Sequence, residues 1–398
     1  MIEEKTEKET SENPLYLTEQ LITYIGNKRA LLPFVGQGVE YVKARLGKNK
    51  LDCLDLFSGS GVVARYLKQF SRSICVNDME LYSSIINSCY LSNLKVSQKL
   101  ELEQLHKKLC EKILFRMDEL ESLRRNGAYR HPGFISRLYS PYDIQSIKPE
   151  ERCFYTPYNA NYLDVARQLI DSEVPESLRA FFIAPLLSEA SIHANTAGIF
   201  KGFYKNSKTK VGQFGGNGRN ALSRITGKIS LPMPFFSNFD CDYKVFRSDA
   251  NSLVSDEKLY SLTDDGTFDL VYLDPPYNQH PYGSNYFMLN LIAAYECPDE
   301  ERISRVSGIP KDWNRSDYNK KRRVADVFFN LVDCLKAKYV LISFNSDGFL
   351  RKDEMIEFFS KCGEVSVLES EYNTFRGSRN LQERDIHVKE YLFLIEKK

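Results

Sequence analysis

The residues most suited to chemistry are Asp274-Pro275-Pro276-Tyr277, which directly follow the run Phe268-Asp269-Leu270-Val271-Tyr272-Leu273. The run reads as a buried strand. Two prolines end a strand and stiffen the backbone just beyond its carboxyl end, the edge at which open α/β sheets bind ligands. A carboxylate and an aromatic ring are thus held on a rigid element. Such a pair suits the activation of a conjugated amine, whose lone pair is delocalised into its ring. The Asp274 carboxylate and the Pro275 carbonyl can each accept one N–H and draw that lone pair towards an electrophile. Tyr277 can stack on a base taken out of a duplex. The plain alternative is a proline-capped strand with a surface carboxylate.

A second group lies far upstream. Read from Gly59, Phe57-Ser58-Gly59-Ser60-Gly61-Val62-Val63-Ala64 is G-x-G-x-x-A between an expected strand and an expected helix. Glycines there permit a tight turn and a close approach of backbone to a ligand. Asp78 closes the next expected strand 17 residues after Gly61, a spacing that suits a carboxylate gripping ribose hydroxyls. Glu80 competes for that role, and a tight turn of any α/β protein is the plain alternative.

Between 190 and 239 there is no Asp or Glu, yet the stretch holds Lys201, Lys205, Lys208, Lys210, Arg219, Arg224 and Lys228. Phe200, Phe203, Tyr204 and Phe214 are interleaved with them, beside a glycine-rich turn over 212–218. The whole chain carries 54 Lys+Arg against 53 Asp+Glu, a net charge of +1, so this local excess is the expected phosphate-contacting surface. Arg219 or Arg224 can read a guanine edge. The alternative is a solvated basic loop.

These groups need a scaffold. Apolar spacing predicts a helix over 21–47, entered through a turn at Tyr24-Ile25-Gly26-Asn27-Lys28, then a strand over 51–57, a helix over 62–70 and a strand over 73–77. A long amphipathic helix is expected over 99–125, with further helical pieces near 161–170 and 175–192. Strands at 268–273 and 339–344 alternate with helices at 324–336 and 353–361. An antiparallel pair over 365–369 and 390–395 closes the chain. Alternation of this kind predicts an α/β fold. Residues 1–14 are polar and acidic, with little to bury, and read as a disordered tail. Residues 15–100 and 240–398 form the expected catalytic domain, and 101–239 an inserted lobe.

In order, Tyr24 to Lys28, Asp55-Leu56-Phe57-Ser58-Gly59-Ser60-Gly61 and Asp274 to Tyr277 resemble the motifs of the Dam-like, alpha-group N6-adenine DNA methyltransferases of restriction–modification systems. The resemblance implies a Rossmann-like S-adenosylmethionine-dependent methyltransferase sheet with an inserted target-recognition lobe. It implies methyl transfer to the N6 amine of a flipped adenine in duplex DNA, with a cognate restriction endonuclease as a separate protein. Position by position, Tyr24 and Lys28 resemble the motif that closes over the methionine end of the cofactor, and Asp55, Phe57, Gly59 and Gly61 the cofactor loop. Asp78 resembles the ribose carboxylate. Asp249 resembles an element touching the cofactor's adenine ring, with a loop aspartate as its alternative. Asp274, Pro275, Pro276 and Tyr277 resemble the catalytic tetrapeptide, Asp274 also facing the cofactor. Asn195 to Lys201 and Asn278 to Asn290 resemble a subgroup, with Tyr282, Asn285 and Tyr286 expected to shape the base pocket. Arg376, Ser378, Arg379 and His387 are candidates for phosphate contact or for bridging the two lobes.

Composition removes other classes. Nine scattered cysteines without a C-x-x-C pair read as reduced thiols of a cytoplasmic protein, and five histidines lack zinc-ligand spacing, so no metal is expected. No apolar run reaches membrane-span length, and no signal peptide is visible. Two other readings stand beside the leading one. The first is the same chemistry on RNA adenine, cytosine N4 or protein glutamine. The second is a non-catalytic DNA-binding module.

Overall fold

The computed structural model describes residues 11–216, 221–346, 348–373 and 387–398. Its strands are β1 Leu51–Asp55, β2 Ser71–Asn77, β3 Asp242–Phe246, β4 Phe268–Leu273, β5 Ala337–Asn345, β6 Gly363–Asn373 and β7 His387–Lys397. They form one sheet in the order β3-β2-β1-β4-β5-β7-β6. β1 to β5 run parallel, and β7 is antiparallel to both of its neighbours. β1 and β4 are buried at every position, which is why each reads as a continuous run rather than an alternating one.

Helices cover both faces. Leu32–Leu46 and Val62–Lys68 bury Val35, Val39 and Leu67 against one face of the sheet. Val324–Cys334 and Lys352–Cys362 bury Phe328, Met355 and Phe359 against the other. The result is the Rossmann-like arrangement expected. Strand order reverses between β1 and β4, and the crevice beyond their carboxyl ends is where such sheets bind ligands.

A third core lies beside the sheet. Helices Val96–Arg125, Pro157–Glu173 and Ala180–Ile192 bury Leu109, Ile113, Leu163, Phe182 and Leu187. The same core takes in Tyr82 and Ile86 of helix Leu81–Tyr90 and Phe287, Met288 and Ile292 of helix Phe287–Ala294. The inserted lobe expected over 101–239 therefore shares its interior with elements on both sides of it in sequence.

Several boundaries differ from expectation. The helix expected over 21–47 begins only at Leu32, after a 3-10 turn at Arg29–Leu31, and ends on Gly47 at φ +63°. Pro33 in its first turn suits a helix start rather than a helix interior. β3 was not foreseen: Asp-Tyr-Lys-Val-Phe is only half buried because it lies at the sheet edge. The tail expected over 1–14 is tied down before its end. Glu12 accepts from the Ser237 hydroxyl at 2.5 Å and the Asn238 N–H at 2.8 Å, and helix Pro14–Thr18 follows. Residues 1–10 lie outside the described residues. Among the described residues, no helix is long and apolar enough to cross a membrane, and no cluster of His, Cys, Asp and Glu is arranged to hold a metal.

Candidate active site

At the reversal of strand order lies a cavity with about 870 Å³ of empty space, part of it open to solvent. Asp55 ends β1, Asn77 ends β2, and Asp274 follows β4, so three parallel strands aim their carboxyl ends at one space. The glycine turn closes one side. Gly59 has φ +51°, and a Cβ there would stand 2.8 Å from the Tyr24 ring, so the turn and the ring need glycine to approach each other.

Four carboxyl groups line this cavity beside Asp274: Asp55, Asp78, Glu80 and Asp249. Both oxygens of Asp55 are buried, and among the described residues no hydrogen bond of normal geometry reaches them, the backbone N–H groups of Phe57 and Ala64 acting on them only loosely. Burial raises its pKa well above the ordinary carboxylate range, and Asp274 and Asp78 add to the rise. Asp78 differs: its Oδ2 accepts from the Gly59 N–H at 2.8 Å and its Oδ1 from the Glu80 N–H at 2.9 Å. It thereby braces the glycine turn. Glu80 accepts from the side-chain amides of Asn290 and Asn314. Burial, then the neighbouring Asp78, pushes its pKa to about 7.

Lys28 is almost fully buried between two carboxylates. Its Nζ lies 2.5 Å from Glu390 Oε1 and 3.4 Å from Asp274 Oδ1. Burial works against its charge, but Asp274 and Glu390 more than offset that and raise its pKa. Asp274 keeps a fifth of its side chain exposed, towards the cavity. Its surroundings raise its pKa to about 7, with burial outweighing the opposing pull of Lys28. The Tyr277 ring leans on Phe344 at 5.1 Å, and its hydroxyl accepts from the Asn345 amide at 2.7 Å.

The segment carrying Tyr24 and Lys28 has little regular structure of its own, and tyrosines hold it. Tyr24 stacks on Tyr282 at 5.0 Å and on Tyr286 at 4.9 Å. Of the residues expected at the cofactor, Tyr24, Lys28, Asp55, Phe57, Gly59, Asp78, Asp249 and Asp274 line the cavity. Gly61 does not: it caps helix Val62–Lys68 at φ +73°, where a Cβ would meet Asn87. Asp249 lines the cavity and also caps the helix Ala250–Leu253 by accepting from the Ser252 N–H at 3.0 Å. Pro276 lines the cavity, whereas Pro275 is buried behind it. Of the three residues expected to shape a base pocket, Tyr282 lines the cavity, whereas Tyr286 and Asn285 are buried. Sequence reasoning missed Asn314, Ser316 and Tyr318, which also line the cavity. A polar run, Asn314 to Asn319, beside the single tryptophan Trp313 was the available signal.

The basic stretch divides. Lys208 and Lys210 are exposed on a turn that Asn206 organises by accepting from the Lys208 and Thr209 N–H groups. Buried Asn195 anchors this segment, donating to the Gln213 carbonyl at 2.8 Å and accepting from the Gly215 N–H at 3.0 Å. Lys201 is exposed, 3.2 Å from His280 Nδ1, and Lys228 lies over the Tyr158 ring. Lys205 donates to the Val306 carbonyl at 3.1 Å. Arg224 corrects the expectation of a phosphate contact: its guanidinium turns inward onto the carbonyls of Ile192, Ala194 and Thr196. The end of helix Ala180–Ile192 leaves unpaired carbonyls that attract such a cation. Arg219, Arg376, Ser378 and Arg379 lie outside the described residues. His387 begins β7.

A doubly wound sheet with a glycine turn after β1, acidic side chains at its carboxyl edge and Asp-Pro-Pro-Tyr after β4 defines a Rossmann-like methyltransferase. The chain belongs to the D12 class N6 adenine-specific DNA methyltransferase family, which it matches over residues 24–214 and 240–357. It is 28% identical over 383 residues to the type II methyltransferase M.NlaIII of Neisseria lactamica, covering 94% of this chain and 99% of that protein. It is 26% identical over 377 residues to M.CviAII of Paramecium bursaria Chlorella virus 1, covering 94% and 98%. It is also 26% identical over 383 residues to M.FokI of Planomicrobium okeanokoites, but there it spans 94% of this chain and only 52% of the relative. The chain is therefore an enzyme of DNA adenine methylation, and the RNA, cytosine and glutamine acceptors fall away.

Proposed function

We propose that this chain is a site-specific modification enzyme. It transfers the methyl group of S-adenosylmethionine to the N6 amine of an adenine turned out of duplex DNA, and protects a recognition sequence from a separate endonuclease. The observation carrying this reading is Asp55, a buried carboxylate that no side chain among the described residues pairs with, on the wall of the cavity that Asp274 also lines. Such a group is costly unless a cation meets it. The ammonium of S-adenosylmethionine is that cation. Asp78 is then the ribose carboxylate, held rigid by two main-chain N–H groups, with Glu80 bracing the same wall. Phe57, Asp249 and Tyr318 surround the adenine, and Tyr24 and Lys28 close the methionine end. The residues present fit this cofactor.

Bound there, S-adenosylmethionine supplies a methyl group already carried on a sulfonium leaving group. The rest falls to the chain. Asp274 and the Pro275 carbonyl each accept one hydrogen of the amine, which turns its lone pair out of conjugation. Tyr277 stacks on the base. Positioning and exclusion of water do most of the work. Lys208 and Lys210, on an exposed turn of the 101–239 lobe, meet the phosphates. The relatives named as type II methyltransferases support the protective role.

Long-read sequencing of DNA from a methylation-free host expressing the chain tests this. N6-methyladenine confined to one short motif is expected, and none with Asp274→Ala. Unmodified DNA from a folded protein that binds S-adenosylmethionine would end the proposal.

A further inference from the structure

Glu390 belongs to none of the sequence motifs, yet it touches the machinery. It lies in β7 opposite Asn345 of β5, and its carboxylate is 1% exposed. One oxygen, Oε1, receives two hydrogen bonds: from Lys28 Nζ at 2.5 Å and from the Ser343 hydroxyl at 2.6 Å. The same ammonium stands 3.4 Å from Asp274 Oδ1, so it sits nearer to Glu390 than to the residue after β4. A buried cation with a single carboxylate in reach closes onto it. An Asp274 held that way would offer the amine a poorer acceptor.

Resting on the reading of Asp274 as the amine acceptor, we propose that Glu390 is a positioning residue for methyl transfer. It holds the Lys28 ammonium, with Ser343 fixing its carboxylate, so that Asp274 stays paired to a cation yet keeps its oxygens for the substrate amine. The other ionisable groups facing this cluster are Asp55 from β1, Tyr272 from β4, and Tyr277 and Tyr282 beyond it. Burial raises the Asp274 pKa, Lys28 lowers it, and Glu390 raises it. Glu390 and Lys28 thus pull Asp274 in opposite directions.

The test is the pH profile of kcat. Glu390→Gln keeps the shape but removes the charge. Its acid limb is expected to move to lower pH, with kcat down about tenfold as Lys28 swings onto Asp274. The KM for DNA should change little. Lys28→Met should move the acid limb the other way, a split that a loss of packing would not produce. Glu390→Asp, which restores the charge, should return the limb towards the wild-type position. If Glu390→Gln fails to fold, Ser343→Ala carries the test: kcat about threefold down, with a cooperative melting transition still present at a somewhat lower temperature, is expected for the loss of one hydrogen bond. Wild-type kcat and acid limb in Glu390→Gln, or wild-type kcat in Ser343→Ala, would overturn the proposal. Loss of activity in Asp274→Ala alongside such a result would leave the acceptor reading standing, whereas an active Asp274→Ala would sink that reading itself.

Discussion

The hydroxyl of Tyr286 accepts a hydrogen bond from the backbone N–H of Ile25 at 2.7 Å, joining segments 261 residues apart. Tyr282 adds a second tie by donating to the Ile25 carbonyl at 3.1 Å. Through these bonds the helix that follows the Asp-Pro-Pro-Tyr turn sets where Tyr24 and Lys28 stand. Tyr286→Phe keeps the ring stacking and removes only the acceptor. It should destabilise the fold by about 1 kcal/mol and raise the KM for S-adenosylmethionine more than it lowers kcat. Melting curves and steady-state kinetics read both effects. An unchanged KM would mean that the 24–28 segment is held by the Tyr282 bond and by stacking without help from the Tyr286 hydroxyl.

Gly59→Ala places a Cβ 2.8 Å from Tyr24 at a residue with φ +51°. Backbone strain of about 1–2 kcal/mol and displacement of the Tyr24 ring are both expected. Cofactor affinity measured by calorimetry should fall by more than stability alone explains. Near-wild-type binding would show that the ring moves aside freely.

Glu80 and Asp274 give stability and activity opposite dependence on pH. Burial raises the folded-state pKa of each to about 7, above the ordinary carboxylate value. The folded chain therefore binds these protons more tightly than the unfolded chain. Their stabilising contribution is full below the unfolded pKa, about 4, and is lost as pH rises through about 7. Glu80→Gln should accordingly flatten the fall in Tm between about pH 5 and pH 8. An identical Tm slope in the variant would mean that Glu80 titrates at its ordinary pKa. Activity should rise over the same window, because Asp274 must be ionised to accept from the amine.

Lys208 and Arg224 separate binding from folding. Lys208→Ala and Lys210→Ala should leave Tm unchanged, weaken DNA binding, and each reduce the log–log salt slope by about 1. Arg224→Ala strands the carbonyls of Ile192, Ala194 and Thr196. It should cost about 1–3 kcal/mol of stability. Titrations at several salt concentrations, with parallel melting curves, distinguish the two. A salt slope unchanged by both lysine substitutions would remove that turn from the DNA interface.

The sequence alone was enough for the sheet's centre and the two motifs at its edge. β1 and β4 are buried on both faces, so their apolar runs announce themselves locally. The glycine turn and the double proline are likewise local, because each restricts its own backbone. Family order then made Tyr24, Asp55, Asp78 and Asp274 candidates for one cavity. Tertiary structure decided the rest. Whether Arg224 faces DNA or a helix end depends on carbonyls some thirty residues upstream. Asp55 has no spacing signal for the want of a side-chain partner, since such a gap is visible only once the neighbours are placed. Glu390 looks like one charged residue at the head of a strand, and only the β5–β7 register puts it against Lys28. Local patterns record what a residue does to its own backbone, while charge pairing across the sheet requires the folded chain to bring the partners together.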